Sequence, residues 1–130
     1  MSKGRVLLVC ADREECSSYG RILSALDYDI VMCTSYEEGA RRVETEDFDF
    51  AVVNQGSASF EGRCVLDRGT EMHRNVPVVV VTRCRDTRCY LEAMELGAVD
   101  YLERPKLDEI GWVLETQLRR RDALCGSSTL

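Results

Sequence analysis

Short apolar runs alternate with stretches of helical periodicity along the whole chain, and this alternation constrains the fold more than any other feature. Val6-Leu7-Leu8-Val9-Cys10, Phe48-Asp49-Phe50-Ala51-Val52-Val53, Val76-Pro77-Val78-Val79-Val80-Val81-Thr82 and Ala98-Val99-Asp100-Tyr101-Leu102 are too short for ordinary helices and rich in β-branched residues. Near-continuous apolar runs of this length suit strands covered on both faces. Pro77 stands at the entry of the third of these runs, where a missing N–H is tolerated. Tyr28-Asp29-Ile30-Val31-Met32-Cys33 also reads as a strand, and its charge places it at a sheet edge.

Between these runs lie helix signals. Asp12 with Glu15, and Ser35 with Glu38, have capping-box spacing. Cys16, Tyr19, Leu23 and Leu26 repeat at helical spacing, and the second helix is expected to end near Glu44. Residues 54–62 read as a loop, and residues 64–73 as a helix weakened by Gly69. Asp86 or Thr87 opens a fourth helix that ends at Gly97. Pro105 opens a last one, with Leu107, Ile110, Val113, Leu114 and Leu118 on one stripe. Five strands alternating with five helices predict a parallel sheet with helices on both faces. One domain is expected over residues 5–121, followed by a disordered tail over 122–130. In such folds the functional crevice lies beyond the C-terminal ends of the strands. The residues expected there are Cys10-Ala11-Asp12, Asn54-Gln55, Thr82-Arg83-Cys84 and Glu103-Arg104-Pro105.

Composition narrows the function. A net charge of −6 and a pI near 4.9 argue against a nucleic-acid-binding surface. The one basic run, Arg119-Arg120-Arg121, complements the dipole at the end of the last helix. No apolar stretch reaches the roughly 18–20 residues of a membrane span, and the N-terminus lacks a signal-peptide pattern, so the chain is expected to be cytoplasmic. Seven cysteines without a CxxC pair, and a single histidine, argue against both a disulfide scaffold and a structural zinc site. Most of these thiols are expected to be small buried hydrophobes. No Gly-rich loop follows the first strand, which weakens a nucleotide or flavin reading. His73 has no serine or acid to work with and reads as a surface residue.

The chain resembles the receiver domains of bacterial response regulators over about residues 5–120. Val6-Leu7-Leu8-Val9 is similar to the first receiver strand. Phe48-Asp49-Phe50-Ala51-Val52-Val53-Asn54 is similar to the third strand with its phosphoacceptor. Val76-Pro77-Val78-Val79-Val80-Val81-Thr82 is similar to the fourth strand, ending in the switch hydroxyl. Leu96-Gly97-Ala98-Val99-Asp100-Tyr101-Leu102-Glu103-Arg104-Pro105 is similar to the Gly-Ala-x-x-Tyr-x-x-Lys-Pro segment. The resemblance implies a doubly wound, flavodoxin-like fold with strand order 2-1-3-4-5.

The departures from that family imply lost chemistry. Its two adjacent metal-binding carboxylates are Cys10 and Ala11 here, with Asp12 one place later as a helix cap. Its acceptor aspartate is Asn54 and its lysine is Arg104, which keeps the charge but not the shape. A thiol, a methyl group and a neutral amide do not suit magnesium, so no metal or other cofactor is expected. Arg83 follows Thr82 where the family has a small residue. It reads either as a solvated side chain or as a guanidinium filling the crevice beside Asn54. The crevice charge is expected to move from acidic to neutral or basic. Arg104 or Arg83 bonded to Asn54 would mimic one liganded state.

The resulting expectation is a non-catalytic pseudo-receiver that acts by protein contact, in or beside a two-component phosphorelay. Thr82 and Tyr101 stand at the family's switch positions. The implied partners are a histidine kinase, another regulator, or a second copy bound through the face of the fourth helix, fifth strand and fifth helix. Trp112 falls opposite the apolar stripe of the last helix; it is either a contact residue for a partner or a ring lying flat on its own helix. Two alternatives stay open. One is a working regulator with an unconventional acceptor. The other is a thiol switch using Cys10, Cys33 or Cys84, the last flanked by Arg83 and Arg85 in a setting that would lower its pKa if exposed.

Overall fold

A computed structural model describes residues 2–71 and 75–128, with the side chains of the last helix described as far as Arg120. The chain runs β1 (Arg5–Val9), α1 (Arg13–Ala25), β2 (Asp29–Cys33), α2 (Tyr36–Thr45), β3 (Phe50–Asn54), α3 (Arg63–Gly69), β4 (Val78–Thr82), α4 (Thr87–Glu95), β5 (Asp100–Glu103) and α5 (Leu107–Ser128). The five strands form one parallel sheet in the order β2-β1-β3-β4-β5. This is the expected doubly wound arrangement.

The apolar runs become strands because each inward and outward position finds apolar cover. Val6, Leu8, Phe50, Val52, Val79 and Val81 face one core with Leu23, Ile110 and Leu114. Leu7, Val9, Ala51, Val53, Val78 and Val80 face the other, with Val43, Val65 and Leu66. Residues alternate between the two cores because successive side chains in a strand point to opposite faces. β3 and β4 are buried throughout, whereas β2 is an edge with Met32 exposed.

Three differences from the sequence reading have local causes. The helix expected over 64–73 ends at Gly69, because the Val76 N–H donates to the Gly69 carbonyl (2.7 Å) and the chain turns back into β4. His73, read as a surface residue, lies outside the described residues. On α5, Ile110, Val113 and Leu114 are buried but Leu107 is exposed, since it lies in the first turn, ahead of the segment that packs on the sheet. α5 runs to Ser128, past the boundary at residue 121, and between Leu118 and Gly126 the sequence has neither Gly nor Pro to stop it. Among the described residues no helix is long and apolar enough to cross a membrane.

β1 connects to β2 on one side of the sheet, and β2 to β3 back across on the other. The strand order therefore reverses between β1 and β3, and a cleft opens above their C-terminal ends.

Candidate functional site

The cleft has a volume of about 490 Å³ and is walled by the ends of β1, β3 and β4 with the loops that follow them. Asn54, the last residue of β3, sits at its floor with 7% of its surface exposed. Both ends of its carboxamide are engaged. Oδ1 accepts from the Gly56 N–H at 2.7 Å, and Nδ2 donates to Glu15 Oε1 at 2.7 Å. Two glycines make this turn fit. Gly56 has φ +87°, a left-handed conformation that side chains resist. A Cβ on Gly62 would lie 2.3 Å from the Asn54 carbonyl oxygen.

Asp12 has two tasks. Its Oδ1 caps α1 by accepting from the Glu14 and Glu15 N–H groups at 2.9 and 3.3 Å. Its Oδ2 accepts from Arg83 Nη2 at 3.1 Å. Glu15 has the spacing of a capping-box glutamate, yet its carboxylate turns into the cleft. It meets Asn54, and Arg83 Nε lies 3.5 Å from its other oxygen. Arg83 thus bridges the β4–α4 loop to Glu15 of α1 and to Asp12, its cap. Arg83 lines the cleft, but its side chain is 58% exposed and its guanidinium reaches Glu15 and Asp12, so it does not fill the space beside Asn54.

Arg104 departs further from expectation. Its Nε donates to the Arg83 carbonyl at 3.0 Å, its backbone is left-handed at φ +41°, and it lines a neighbouring groove with Glu14, Ser18 and Tyr19. It makes no bond to Asn54, because the left-handed turn after β5 directs it outward. The expected drift to a neutral or basic crevice is also corrected. Its walls carry three carboxylates, Asp12, Glu15 and Asp86, against the two guanidiniums of Arg83 and Arg85, and Glu15 comes from a helix position that looks like a cap in sequence.

At the end of β1, Ala11 lines the cleft and Cys10 does not. Cys10 is fully buried beside Cys16 in the core shared with α1 and α5. Burial pushes its thiol well up, with Cys16, Glu15 and Asp12 adding to the shift. Burial likewise raises the Cys33 thiol. Cys84 is exposed at the cleft rim. The donor set does not fit magnesium. Cys10 is turned away, the Asn54 carbonyl is engaged by a backbone N–H, and the two carboxylates are already held by a guanidinium. Among the described residues no three His, Cys, Asp or Glu side chains converge to hold a metal ion.

Thr82 and Tyr101, at the switch positions, are both buried. The Thr82 hydroxyl donates to the Cys84 carbonyl (3.0 Å) and accepts from the Cys84 N–H (3.2 Å). The Tyr101 hydroxyl donates to Gln55 Oε1 and accepts from the Asp86 N–H at 3.1 Å. Its ring meets Tyr90 edge-on at 5.7 Å. Burial raises the Tyr101 phenol, partly offset by the bond from the Asp86 N–H. Gln55 was legible only as a crevice position; the signal that it does more is a second carboxamide directly after Asn54 at the end of a buried strand. Trp112 is 70% exposed on α5, as its place opposite the stripe predicted. Leu91 and Met94 of α4 are also exposed apolar residues.

No protein-family model matches the chain. It is 25% identical over 114 residues to the transcriptional regulatory protein ZraR of Escherichia coli K12, covering 87% of this chain and 26% of that protein. It is 31% identical over 130 residues to a protein-glutamate methylesterase/protein-glutamine glutaminase of the group 3 operon of Bradyrhizobium diazoefficiens, covering 94% of this chain and 34% of that protein. The chain therefore spans about a quarter to a third of the length of these curated relatives. Among solved structures, a response regulator receiver domain protein from Clostridium thermocellum superposes with a TM-score of 0.81 at 17% identity, covering 95% of this chain and 99% of that one. The chain has the receiver fold, as the resemblance in sequence implied.

Proposed function

We propose that this receiver-fold chain is a non-catalytic signalling module that works by protein contact, without phosphoryl transfer at residue 54 and without magnesium. The observation that carries this reading is the state of Asn54. A phosphoryl acceptor needs an oxygen with a free lone pair and a cation to steady the incoming charge. Here the side-chain oxygen belongs to a neutral amide, a poor nucleophile that already accepts from the Gly56 N–H, and the nearby cation is the guanidinium of Arg83, held by Asp12 and Glu15. The cleft is satisfied by its own side chains.

The proposed partners are a histidine kinase, another regulator or a second copy of this chain. The surface put forward is the face of α4, β5 and α5, where Leu91, Met94 and Trp112 are exposed. Large exposed apolar side chains mark contact surfaces when they gather on one face. Methylesterase or glutaminase activity belongs to the name of one relative, of which this chain spans 34%. In the cleft described here the Ser57 hydroxyl donates to the Glu61 carboxylate at 2.9 Å, but the bonds from residues 61 and 57 hold that carboxylate below its ordinary pKa and leave it a poor base, so no such activity is proposed. A thiol switch at Cys10 or Cys33 is disfavoured by burial, which holds both as thiols.

The test is intact mass after incubation with acetyl phosphate and magnesium, with the Asn54→Asp variant and an authentic receiver alongside. The native protein is expected to stay unmodified while the authentic receiver gains a phosphoryl group. A stoichiometric adduct on the native protein would overturn the reading, and its mapped position would identify a different acceptor.

A further inference from the structure

We infer that Gln55 is a positioning residue that ties the cleft loop to the N-terminus of α4 through Tyr101. Four segments meet at this residue, two through its backbone and two through its carboxamide. Its backbone N–H donates to the Val81 carbonyl of β4 at 2.8 Å, and its carbonyl accepts from the Gly62 N–H at 3.1 Å. Its Nε2 donates to the Ser57 carbonyl at 3.2 Å, inside the loop that walls the cleft. Its Oε1 takes the proton of the Tyr101 hydroxyl of β5. That hydroxyl in turn accepts from the N–H of Asp86, the cap of α4, whose carboxylate accepts from the Cys89 N–H at 3.1 Å. A parallel contact runs from the Cys89 thiol to the Ala58 carbonyl at 3.6 Å.

Gln55 and Tyr101 are each 3% exposed, so neither finds water if its partner leaves. A buried donor or acceptor left single is costly, and such junctions hold one geometry for that reason. Here the bond crosses from the segment after β3 to β5, and so joins the cleft wall to the α4 edge of the proposed partner face. A ligand that displaced residues 55–58 would pull on the start of α4. The face is named by the preceding proposal, but the junction itself stands on these bonds alone.

Amide hydrogen exchange on the unmodified protein, without phosphodonor or partner, tests the junction separately from the phosphoryl question. Gln55→Met and Tyr101→Phe are each expected to speed exchange at residues 86–90 by at least tenfold beyond the change seen in β1 and α1. The Gln55→Met/Tyr101→Phe double variant should be no faster than the worse single one. Tyr101→Phe also removes the acceptor of the Asp86 N–H directly, so the Gln55 arm decides the inference, with Gln55→Leu in its place if Gln55→Met does not fold. A uniform change across the sheet, unchanged exchange at residues 86–90, or additive effects in the double variant would overturn the inference.

Discussion

Asn54 acts through the residue it touches. Its Nδ2 lies 2.7 Å from Glu15 Oε1, so Asn54→Asp replaces a donor with a second carboxylate oxygen at contact distance. Two carboxylates that close do not both ionise freely, and the pair's upper pKa rises. The unfolded chain then sheds protons that the folded one keeps, so the variant loses stability as pH climbs through the carboxylate range. Asn54→Asp is expected to be about 1–2 kcal/mol less stable than the native protein at pH 8, and to close most of that gap at pH 4. Urea midpoints at the two pH values measure this; an equal penalty at both would mean Glu15 is not the cause. The sequence showed Asn54 plainly. It did not show Glu15, because Asp12 with Glu15 fits a local capping pattern equally well, and a pairing across 39 residues leaves no local mark.

Elements were legible where one signal dominated. The strands of the interior, β3 and β4, announce themselves by unbroken apolar runs, and the caps at Asp12, Ser35 and Asp86 do bind the N–H groups their spacing suggested. α3 was read too long because Gly69 looks like a weak spot in a helix, when it is the point where the chain must turn toward β4. On α5 the 100° periodicity placed Trp112 correctly on the solvent side. Its ring is 70% exposed, so Trp112→Ala is expected to change folding stability by less than about 0.5 kcal/mol. The same variant should weaken self-association or capture of a regulator or kinase. Sedimentation velocity and pull-down beside a urea melt test both halves; unchanged association would remove Trp112 from the contact surface.

Across the whole molecule, burial of thiols and phenols ties stability to alkaline pH. Burial raises Cys10, Cys16, Cys33, Cys64 and Cys89 above the ordinary thiol value of 9.0. It also pushes Tyr19 and Tyr36 from 10.0 up to about 12. The unfolded chain ionises these groups at their ordinary values while the folded one holds the protons. Their contribution is therefore complete below pH 9 and is lost as pH rises from 9 toward 12. A series of urea midpoints from pH 7 to pH 11 is expected to be flat to about pH 9 and then to fall; no decline by pH 11 would contradict it.

Sequence by itself determined the layered βα frame, the buried strands and the absence of carboxylates at Cys10, Ala11 and Asn54. Those properties depend on local periodicity and on which atoms a side chain carries. Tertiary structure alone decided that Glu15 meets Asn54, that Arg83 meets Asp12 across 71 residues, and that Gln55 meets Tyr101 across 46. Long side chains such as Glu and Arg have many rotamers and several acceptable partners. Which partner they take depends on where the sheet brings distant strand ends together.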